Sequence, residues 1–236
     1  MCNPKISIVV PVLDEAEYIN SLVERLRSQD GIAHFEIIVV DGDPRGATIG
    51  VIRDDGVITR VAEKGRACQM NAGAEAAKGE ILLFLHADTQ LPENALAKIE
   101  GVLENQNYVA GAFDLSIASK RLSLRFIAAR ASLRSRITRV PYGDQAIFIR
   151  KSYFDKIGGF EEVPLLEDVE LMCRIRKRGD KIIILPDLVT TSARRWEKEG
   201  VFFTTLRNML IINLYRLGVS PERLARYYRY GPEKEH

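Results

Sequence analysis

Acidic side chains and one imidazole directly follow three apolar runs in this chain of 236 residues. Carboxylates and imidazoles bind divalent cations and move protons in catalysis. Apolar runs that alternate with helical patterns indicate parallel strands, and ligands of such sheets bind beyond the carboxyl ends of the strands. We therefore expect these side chains to form one polar site at that edge. They are Asp14, Glu15, Asp41, Asp43, His86 and Asp88.

The segment HADTQ, residues 86 to 90, has the donor atoms of a divalent metal site. In an extended backbone, His86, Asp88 and Gln90 point to the same side. One imidazole, one carboxylate and one amide oxygen suit an octahedral ion completed by water and phosphate oxygens, and the nitrogen favours Mn²⁺ slightly over Mg²⁺. The alternative is a polar turn in which Asp88 or Thr89 caps the following helix.

A second group of residues suits a phosphorylated ligand. Lys64, Gly65 and Arg66 precede a helical segment, and the N–H groups and the dipole at a helix N-terminus favour anions. Two cations beside such a helix end can bind a diphosphate. The alternative is a solvated basic loop in front of an alanine-rich core helix.

Paired acids later in the chain could supply a general base. Glu167 and Asp168 follow the segment Gly158-Gly159-Phe160 and begin a helical pattern. A glycine-rich loop can direct one carboxylate into a pocket, where it accepts a proton while neighbours hold the other. The alternative is structural, because Glu and Asp are favoured in the first turn of any helix.

The elements that must position these residues follow from hydrophobic periodicity. Short apolar runs predict buried strands, and apolar residues at helical spacing predict amphipathic helices. Strands are predicted at 6–12, 35–40, 57–61, 81–85, 109–117, 146–149 and 182–185. Helices are predicted at 17–29, 67–77, 92–103 and 165–178, and over most of 197–230. The alternation predicts a parallel α/β sheet in one domain with a C-terminal helical appendage.

Composition excludes several classes of protein. Hydrophobic residues make up 46% of the chain and charged residues 28%, which is typical of globular proteins and excludes disordered and collagen-like chains. A net charge of only +2 gives no general support for nucleic-acid binding. Three widely spaced cysteines favour a reducing cytosol over a disulfide framework. No apolar stretch has the length of a membrane-spanning helix.

Together the motifs resemble family 2 glycosyltransferases of the GT-A fold, in the order that this family shows. The matching segments are ISIVVPVLDEAEYI, EIIVVDGDPRGAT, KGRACQMNAGA, LLFLHADTQLPENAL, GDQAIFIRKSYFDKIGGF and LLEDVELMCRIRKRG. The resemblance implies a mixed, mostly parallel sheet flanked by helices, with C-terminal helices. It also implies a GT-A domain at 1–195, with a nucleotide-binding half at 1–115 and an acceptor half at 116–195, followed by an extension at 196–236.

The resemblance assigns roles to individual residues. The proposed nucleotide-sugar contacts are Pro11, Glu15, Asp41, Asp43, Lys64, Arg66, Asn71 and Asp88. Asp168 corresponds to the catalytic base, Glu167 lies beside it, and Asp144 corresponds to the acceptor side. Asp88 corresponds to the last Asp of the family's DxD metal motif. His86 replaces the usual first Asp, which removes one negative charge from the metal site.

The implied reaction is inverting sugar transfer from a nucleotide-diphosphate donor to an acceptor hydroxyl, with Mn²⁺ or Mg²⁺ as cofactor. A non-catalytic nucleotide-sugar-binding protein is an alternative that His86 motivates. A nucleotidyltransferase is a weaker alternative, because the segment after the first strand, PVLDEAEYIN, lacks the glycines of a phosphate-binding loop.

Residues near the acceptor half suggest further contacts. The basic stretch 120–139 interleaves cations with apolar residues, which predicts an interfacial helix that docks on anionic lipid at the inner face of the membrane or admits a lipid-linked acceptor. The alternative is a cationic helix that covers the acceptor cleft or pairs with the protein's own acids. Arg194, Arg195 and Trp196 could guard the pocket or simply begin a helix. The segment 202–230 is interpreted as core or as a homodimer face rather than as a membrane anchor.

Overall fold

The computed structural model describes residues 3–29 and 34–229, and its centre is a mixed sheet of eight strands. The strands are β1 (Ile6–Val12), β2 (Phe35–Asp41), β3 (Val57–Val61), β4 (Ile81–Phe84), β5 (Thr89–Gln90), β6 (Tyr108–Ala118), β7 (Phe148–Arg150) and β8 (Lys181–Ser192). Their spatial order is β3-β2-β1-β4-β7-β6-β8-β5. The first four strands lie within a residue of the predicted bounds.

The N-terminal half of the sheet is parallel. β1 pairs with β2 on one side and with β4 on the other, and β2 pairs with β3. Ile8, Val9 and Val10 are completely buried, because helices cover both faces of the sheet. Continuous apolar runs are therefore the correct signal for these strands, and the predicted parallel α/β arrangement is confirmed.

The C-terminal half makes the sheet mixed. β7 runs antiparallel to β4 and β6, whereas β6 and β8 are parallel. β8 extends to Ser192, seven residues beyond the predicted end at 185, because a bulge opposite Phe113 and Asp114 accommodates Pro186 and Asp187. At the far edge, β5 adds a two-residue antiparallel pairing in which Thr89 lies opposite Thr191.

Nine helices are present in the part of the chain that the structure describes. They are α1 (Ile19–Arg27), α2 (Arg66–Ala76), α3 (Ala95–Glu104), α4 (Leu122–Thr138), α5 (Lys151–Ile157), α6 (Glu167–Lys177), α7 (Arg194–Glu199), α8 (Val201–Arg216) and α9 (Pro221–Arg229). The basic stretch forms the helix α4. The break predicted at 218–221 separates α8 from α9.

Two apolar cores sandwich the sheet. One core contains buried residues of α1, α3 and α4, including Leu22, Leu96 and Leu124. The other contains residues of α2, α5 and α6, including Met70 and Met172. This three-layer arrangement leaves the carboxyl ends of β1 and β4 accessible between the starts of α2 and α6.

The C-terminal helices follow directly from β8. Between residues 34 and 229, as between residues 3 and 29, no helix has the length and apolar composition required to cross a bilayer. The predicted extension at 196–236 includes residues 230–236, which lie outside the described residues, as does Cys2. The domain boundary at residue 195 stays a prediction.

Close packing of α2 against β1 yields a stability prediction. A Cβ atom at Gly73 would lie 2.3 Å from Val9 Cγ1, which is far below van der Waals contact. Gly73→Ala is therefore expected to lower the free energy of unfolding by about 1–3 kcal/mol, through overpacking. Urea denaturation monitored by circular dichroism measures this change.

Gly101→Ala is the matched control, because Gly101 also lies within a helix but a Cβ atom at this position would have open space within 4 Å. This substitution is expected to raise stability by about 0.5–1 kcal/mol, since alanine loses less backbone entropy in a helix. Equal effects of the two substitutions would contradict the packing account.

Candidate active site

A large cavity of about 660 Å³ lies beyond the carboxyl ends of β1 and β4. The loops after these strands form one wall, and the starts of α2 and α6 form the opposite walls. The sequence-predicted residues that line it are Pro11, Glu15, Lys64, Arg66, His86, Asp88, Asp144, Glu167, Asp168, Arg195 and Trp196. The structure therefore brings together most of the side chains that were singled out along the chain.

Asp41 and Asp43 lie outside the cavity lining, and their predicted nucleotide-sugar contacts stay predictions. Asp41 is completely buried, and its carboxylate accepts hydrogen bonds from the backbone N–H groups of Asp43 (2.9 Å), Thr48 (2.8 Å) and Ile49 (3.3 Å). Asp43 pairs with Arg45 at 3.0 Å. A short polar residue at a strand end can thus fold the following loop instead of facing a ligand.

Asp41 nevertheless acts on the cavity wall through Thr48. The N–H of Thr48 donates to Asp41, and the hydroxyl oxygen of Thr48 accepts a hydrogen bond from the N–H of Glu15 at 3.2 Å. Glu15 lines the cavity. Asp41 is therefore a positioning residue for the loop after β1.

Asn71 also lies outside the cavity lining. Its side-chain amide donates to the carbonyl of Phe160 at 2.9 Å, and its Oδ1 accepts from the N–H of Phe160 at 3.0 Å. This reciprocal pair fixes the glycine-rich segment Gly158-Gly159-Phe160 against α2. Asn71 thus holds a loop, and its predicted contact with the nucleotide sugar stays a prediction.

The predicted metal ligand Gln90 is separated from its two partners. The N–H of Thr89 donates to the carbonyl of His86 at 3.0 Å, so residues 86–89 form a turn and the assumed extended backbone is wrong. Gln90 is exposed and lines a separate, smaller cavity of about 170 Å³ beside Arg25. His86 and Asp88 both line the main cavity. Among the described residues, no cluster of three His, Cys, Asp or Glu side chains is suited to a metal ion.

His86 carries a neutral imidazole at physiological pH. Burial lowers the pKa of His86 to about 3, and the nearby positive charge of Arg66 contributes to this lowering. A Cβ atom at Gly143 would lie 3.1 Å from His86 Nε2 and 3.3 Å from Asp168 Oδ2, so these two side chains flank the same small volume. Glycine at position 143 leaves that volume free.

Three carboxyl groups meet at the start of α6. Asp168 Oδ2 accepts a hydrogen bond from the N–H of Gly143 at 2.5 Å. Burial, with a smaller contribution from the charge of Asp168, raises the pKa of Asp144 to about 6. The same two causes raise the pKa of Glu167 to about 7, with Arg66 opposing them. Carboxyl groups whose pKa is raised in this way, as for Asp144 and Glu167, exchange protons near neutral pH, as proton-transfer chemistry requires.

Two sets of cations counterbalance the acids. Lys64 and Arg66 lie at the start of α2, where unpaired N–H groups and the helix dipole also favour anions. Arg194 lies between two acids, with its Nη2 3.3 Å from Glu15 Oε2 and 3.6 Å from Asp88 Oδ2. Its guanidinium also lies 4.2 Å from the centroid of the Tyr18 ring. The cavity therefore offers positive charge to an anionic ligand.

Several contributors were not recognised in the sequence. Gln69, buried on α2, donates from its amide to the carbonyls of Val12 at 2.7 Å and Val40 at 2.8 Å. It thereby joins the ends of β1 and β2. Its position in the first turn of α2 is the only sequence signal for this role. The carbonyls to which it donates are distant in sequence, so the sequence does not reveal them.

α8 forms another wall of the cavity, through Asn208, Ile211 and Ile212. Periodicity identifies the apolar side of a helix but not the part of the protein that this side covers. The sequence therefore predicts core or a dimer face for the segment 202–230 and does not predict this wall. Tyr142 also lines the cavity, and the guanidinium of Arg134 lies 3.2 Å from the centroid of its ring. Arg195 and Trp196 line the cavity as expected.

Comparisons with known proteins agree with this geometry. A model of the family described as "Glycosyl transferase family 2" matches residues 7–160. The probable glycosyltransferase YdaM of Bacillus subtilis is 26% identical over 224 residues, which cover 83% of this chain and 51% of that protein. A PGL/p-HBAD biosynthesis glycosyltransferase of Mycobacterium tuberculosis is 28% identical over 171 residues, covering 68% of this chain and 64% of that protein.

Solved structures show the same fold. The mannosyltransferase PcManGT of Pyrobaculum calidifontis, solved with GDP-Man and Mn²⁺, superimposes with a TM-score of 0.69 at 20% identity, covering 94% of this chain and 67% of that one. The GT-A fold implied by the sequence motifs is therefore confirmed. The chain spans about half to two thirds of the length of these curated relatives.

The raised pKa of Glu167 predicts a pH-dependent stability difference. Between its ordinary value of 4.5 and about 7, the unfolded chain loses the proton while the folded chain keeps it, so the folded state loses stability as the pH rises. Glu167→Gln abolishes this loss. The free energy of unfolding of Glu167→Gln minus that of the unsubstituted chain is expected to increase from pH 5 to pH 8 by roughly 2–3 kcal/mol.

Urea denaturation at pH 5 and pH 8 measures this difference. Glu162→Gln is the matched control, because Glu162 is exposed and only five residues away. The control is expected to shift stability equally at both values. A pH-independent difference for Glu167→Gln would contradict the burial of a proton-binding carboxyl at this position.

Proposed function

The chain belongs to glycosyltransferase family 2, and on that premise we propose that it transfers a sugar from a nucleotide-diphosphate donor to an acceptor hydroxyl with inversion at the anomeric carbon. The observation that carries the proposal is the cavity itself. It combines cations at a helix start with a cluster of carboxyl groups around Asp168. A diphosphate leaving group and an acceptor hydroxyl require these two environments side by side.

Donor binding is assigned to the wall formed by β1 and α2. Lys64 and Arg66 bind the diphosphate oxygens, and the helix N-terminus adds backbone N–H groups. Pro11 and Glu15 line the adjoining wall, on the nucleoside side. The Pyrobaculum neighbour binds GDP-Man, which supports a nucleotide-diphosphate sugar as the donor class.

Asp168 is assigned as the general base. Its carboxylate lines the cavity and is oriented by the N–H of Gly143. It removes the proton of the acceptor hydroxyl as the hydroxyl oxygen attacks the anomeric carbon and the bond from that carbon to the diphosphate oxygen breaks. Asp144, Arg195 and Trp196 line the acceptor side, where the indole of Trp196 offers a stacking surface for a sugar.

The residues present fit a divalent cation bound together with a diphosphate. Asp88 supplies a carboxylate whose side chain is 29% exposed, and His86 supplies a neutral imidazole. The remaining positions would come from phosphate oxygens and water. The Mn²⁺ in the Pyrobaculum structure supports such a cofactor, and the imidazole favours Mn²⁺ over Mg²⁺. When bound, the ion supplies Lewis-acid stabilisation of the leaving diphosphate.

A non-catalytic nucleotide-sugar-binding protein is the second candidate function. It is favoured by one observation, the ion pair between Arg194 and Asp88, which places a side-chain cation beside the single carboxylate of the metal turn. Metal-dependent release of nucleoside diphosphate from a nucleotide sugar, with water as acceptor, separates the candidates, because a pure binding protein releases none.

The base assignment predicts the effect of Asp168→Asn. The substitution keeps the side-chain volume but removes the proton acceptor, so turnover is expected to fall about 10²–10⁴-fold while donor binding is retained. Turnover is measured as nucleoside diphosphate released from a panel of nucleotide-diphosphate sugars, and donor binding by calorimetry. Asp144→Asn serves for comparison and is expected to lower turnover less. The reverse order would transfer the assignment to Asp144.

The metal assignment predicts opposite effects for two substitutions. Asp88→Asn removes the carboxylate and is expected to abolish Mn²⁺ binding. Arg194→Gln removes a competing cation 3.6 Å from that carboxylate and is expected to raise Mn²⁺ affinity roughly three- to tenfold. Electron paramagnetic resonance of free Mn²⁺, with and without nucleoside diphosphate, measures both without requiring turnover.

Arg27→Gln is the control for charge removal, since Arg27 forms a comparably exposed ion pair with Asp54, outside the cavity. It is expected to leave Mn²⁺ affinity unchanged. Unaltered binding in Asp88→Asn would rule out Asp88 as a ligand.

A further inference from the structure

α4 presents a row of large apolar side chains to solvent. Leu122 is 75% exposed, Phe126 66%, Leu133 58% and Ile137 73%. Their spacing of four, seven and four residues places them on one side of the helix, opposite the buried Leu124 and Ala128. We call this row the α4 face. An apolar stripe of this length on a surface helix indicates a binding surface.

Unpaired arginines flank the α4 face. Arg121, Arg125 and Arg130 are exposed, and none of them makes an ion pair within the described part of the chain. Residues 119–141 contain seven cations and no acid, although the net charge of the whole chain is only +2. Positive charge is therefore concentrated in this segment, where Arg136 alone forms an ion pair with a described residue, Asp114, and the rest of the chain is net negative.

α8 repeats the pattern. Phe202 is 80% exposed, Leu206 54%, Leu210 56% and Leu217 81%. Residues 201–220 contain two arginines and no acid. We call this row the α8 face. Each of the two helices thus has an exposed apolar side and no acidic residue in its own segment.

α8 lines the cavity with its inner side, and α4 contacts a residue of the cavity lining. Asn208 and Ile211 of α8 line the cavity, and Arg134 of α4 stacks on Tyr142, which also lines it. Arg216, at the end of α8, is close enough to Arg134 for their charges to interact. The exposed faces therefore lie on helices whose other sides are close to the cavity lining.

We propose that the α4 face and the α8 face dock on the surface of an anionic lipid bilayer. Apolar side chains enter the boundary between head groups and acyl chains, while Arg121, Arg125 and Arg130 bind the lipid phosphates. Docking of this kind places the acceptor side of the cavity at the lipid surface. That placement suits a lipid-linked acceptor, and this consequence rests on the proposed function. Lipid binding itself does not depend on the proposed function.

Charge favours a bilayer over a second copy of this chain. In a symmetric dimer built on the α4 face, the arginines of one copy would face those of the other. An anionic bilayer supplies the opposite charge instead. Binding is therefore expected to require anionic lipid and to weaken at high salt.

Co-sedimentation with lipid vesicles tests the proposal. The protein is expected to bind vesicles of phosphatidylcholine with phosphatidylglycerol at least about tenfold more tightly than vesicles of phosphatidylcholine alone. Arg125→Glu with Arg130→Glu, and separately Phe126→Ser with Leu133→Ser, are each expected to weaken binding about tenfold or more. Nucleotide binding and the thermal unfolding temperature of these variants report that the fold and the cavity are intact.

Matched controls change equivalent residues elsewhere on the surface. Arg53→Glu with Arg60→Glu reverses two exposed charges, and Val51→Ser with Val61→Ser removes two exposed apolar side chains. Both are expected to leave vesicle binding within about twofold of the unsubstituted chain.

Three outcomes would overturn the proposal. The first is an absence of binding to anionic vesicles, and the second is an equal loss of binding in the control variants. The third is a dimer, seen in light scattering, that Phe126→Ser with Leu133→Ser dissociates, when neither this variant nor the unsubstituted chain binds vesicles. Vesicle binding needs no donor or turnover. Failure of the transferase assays with intact lipid binding would therefore count against the proposed function alone.

Discussion

The amide of Gln69 holds together the part of the structure on which the site depends. It donates to the carbonyls of Val12 and Val40, at the ends of two parallel strands, from the first turn of the helix that carries Arg66. Three elements are thereby fixed at one point. The loop that carries Glu15 and the start of α2 can face the same ligand because these hydrogen bonds hold the end of β1 against α2.

Charge balance is the second constraint on the cavity. Burial alone would keep Asp144 and Glu167 protonated well above their ordinary pKa, and Arg66 partly offsets this for both groups. His86, by contrast, is kept neutral by the same burial and the same arginine. Replacing an acid by His86 at this position therefore removes negative charge without adding positive charge, which limits repulsion among the remaining carboxyl groups.

Hydrophobic periodicity predicted the parallel half of the sheet because strands such as β1 are buried on both faces and carry a strong local signal. Predictions failed where contacts between residues distant in sequence decide the backbone conformation. The last strand was predicted to end at 185, but a bulge against β6 carries β8 past Pro186. Gln90 was predicted to face the metal because an extended backbone was assumed, whereas residues 86–89 form a turn. Family motifs correctly gathered Asp88 and Asp168 at one cavity, whereas Asp41 faces the loop that its own carboxylate organises. The spacing of residues along the sequence does not reveal hydrogen bonds between a side chain and the backbone of a loop, such as the bond that the N–H of Thr48 donates to Asp41.

The short ladder between β5 and β8 has a mechanical consequence. Thr89 adjoins the turn that carries Asp88, and its partner Thr191 lies three residues before Arg194, where the chain enters α7 and then α8. The turn that carries Asp88 and the start of α7 are therefore tied together by one short strand pairing, so a movement of either one strains the hydrogen bonds to the other.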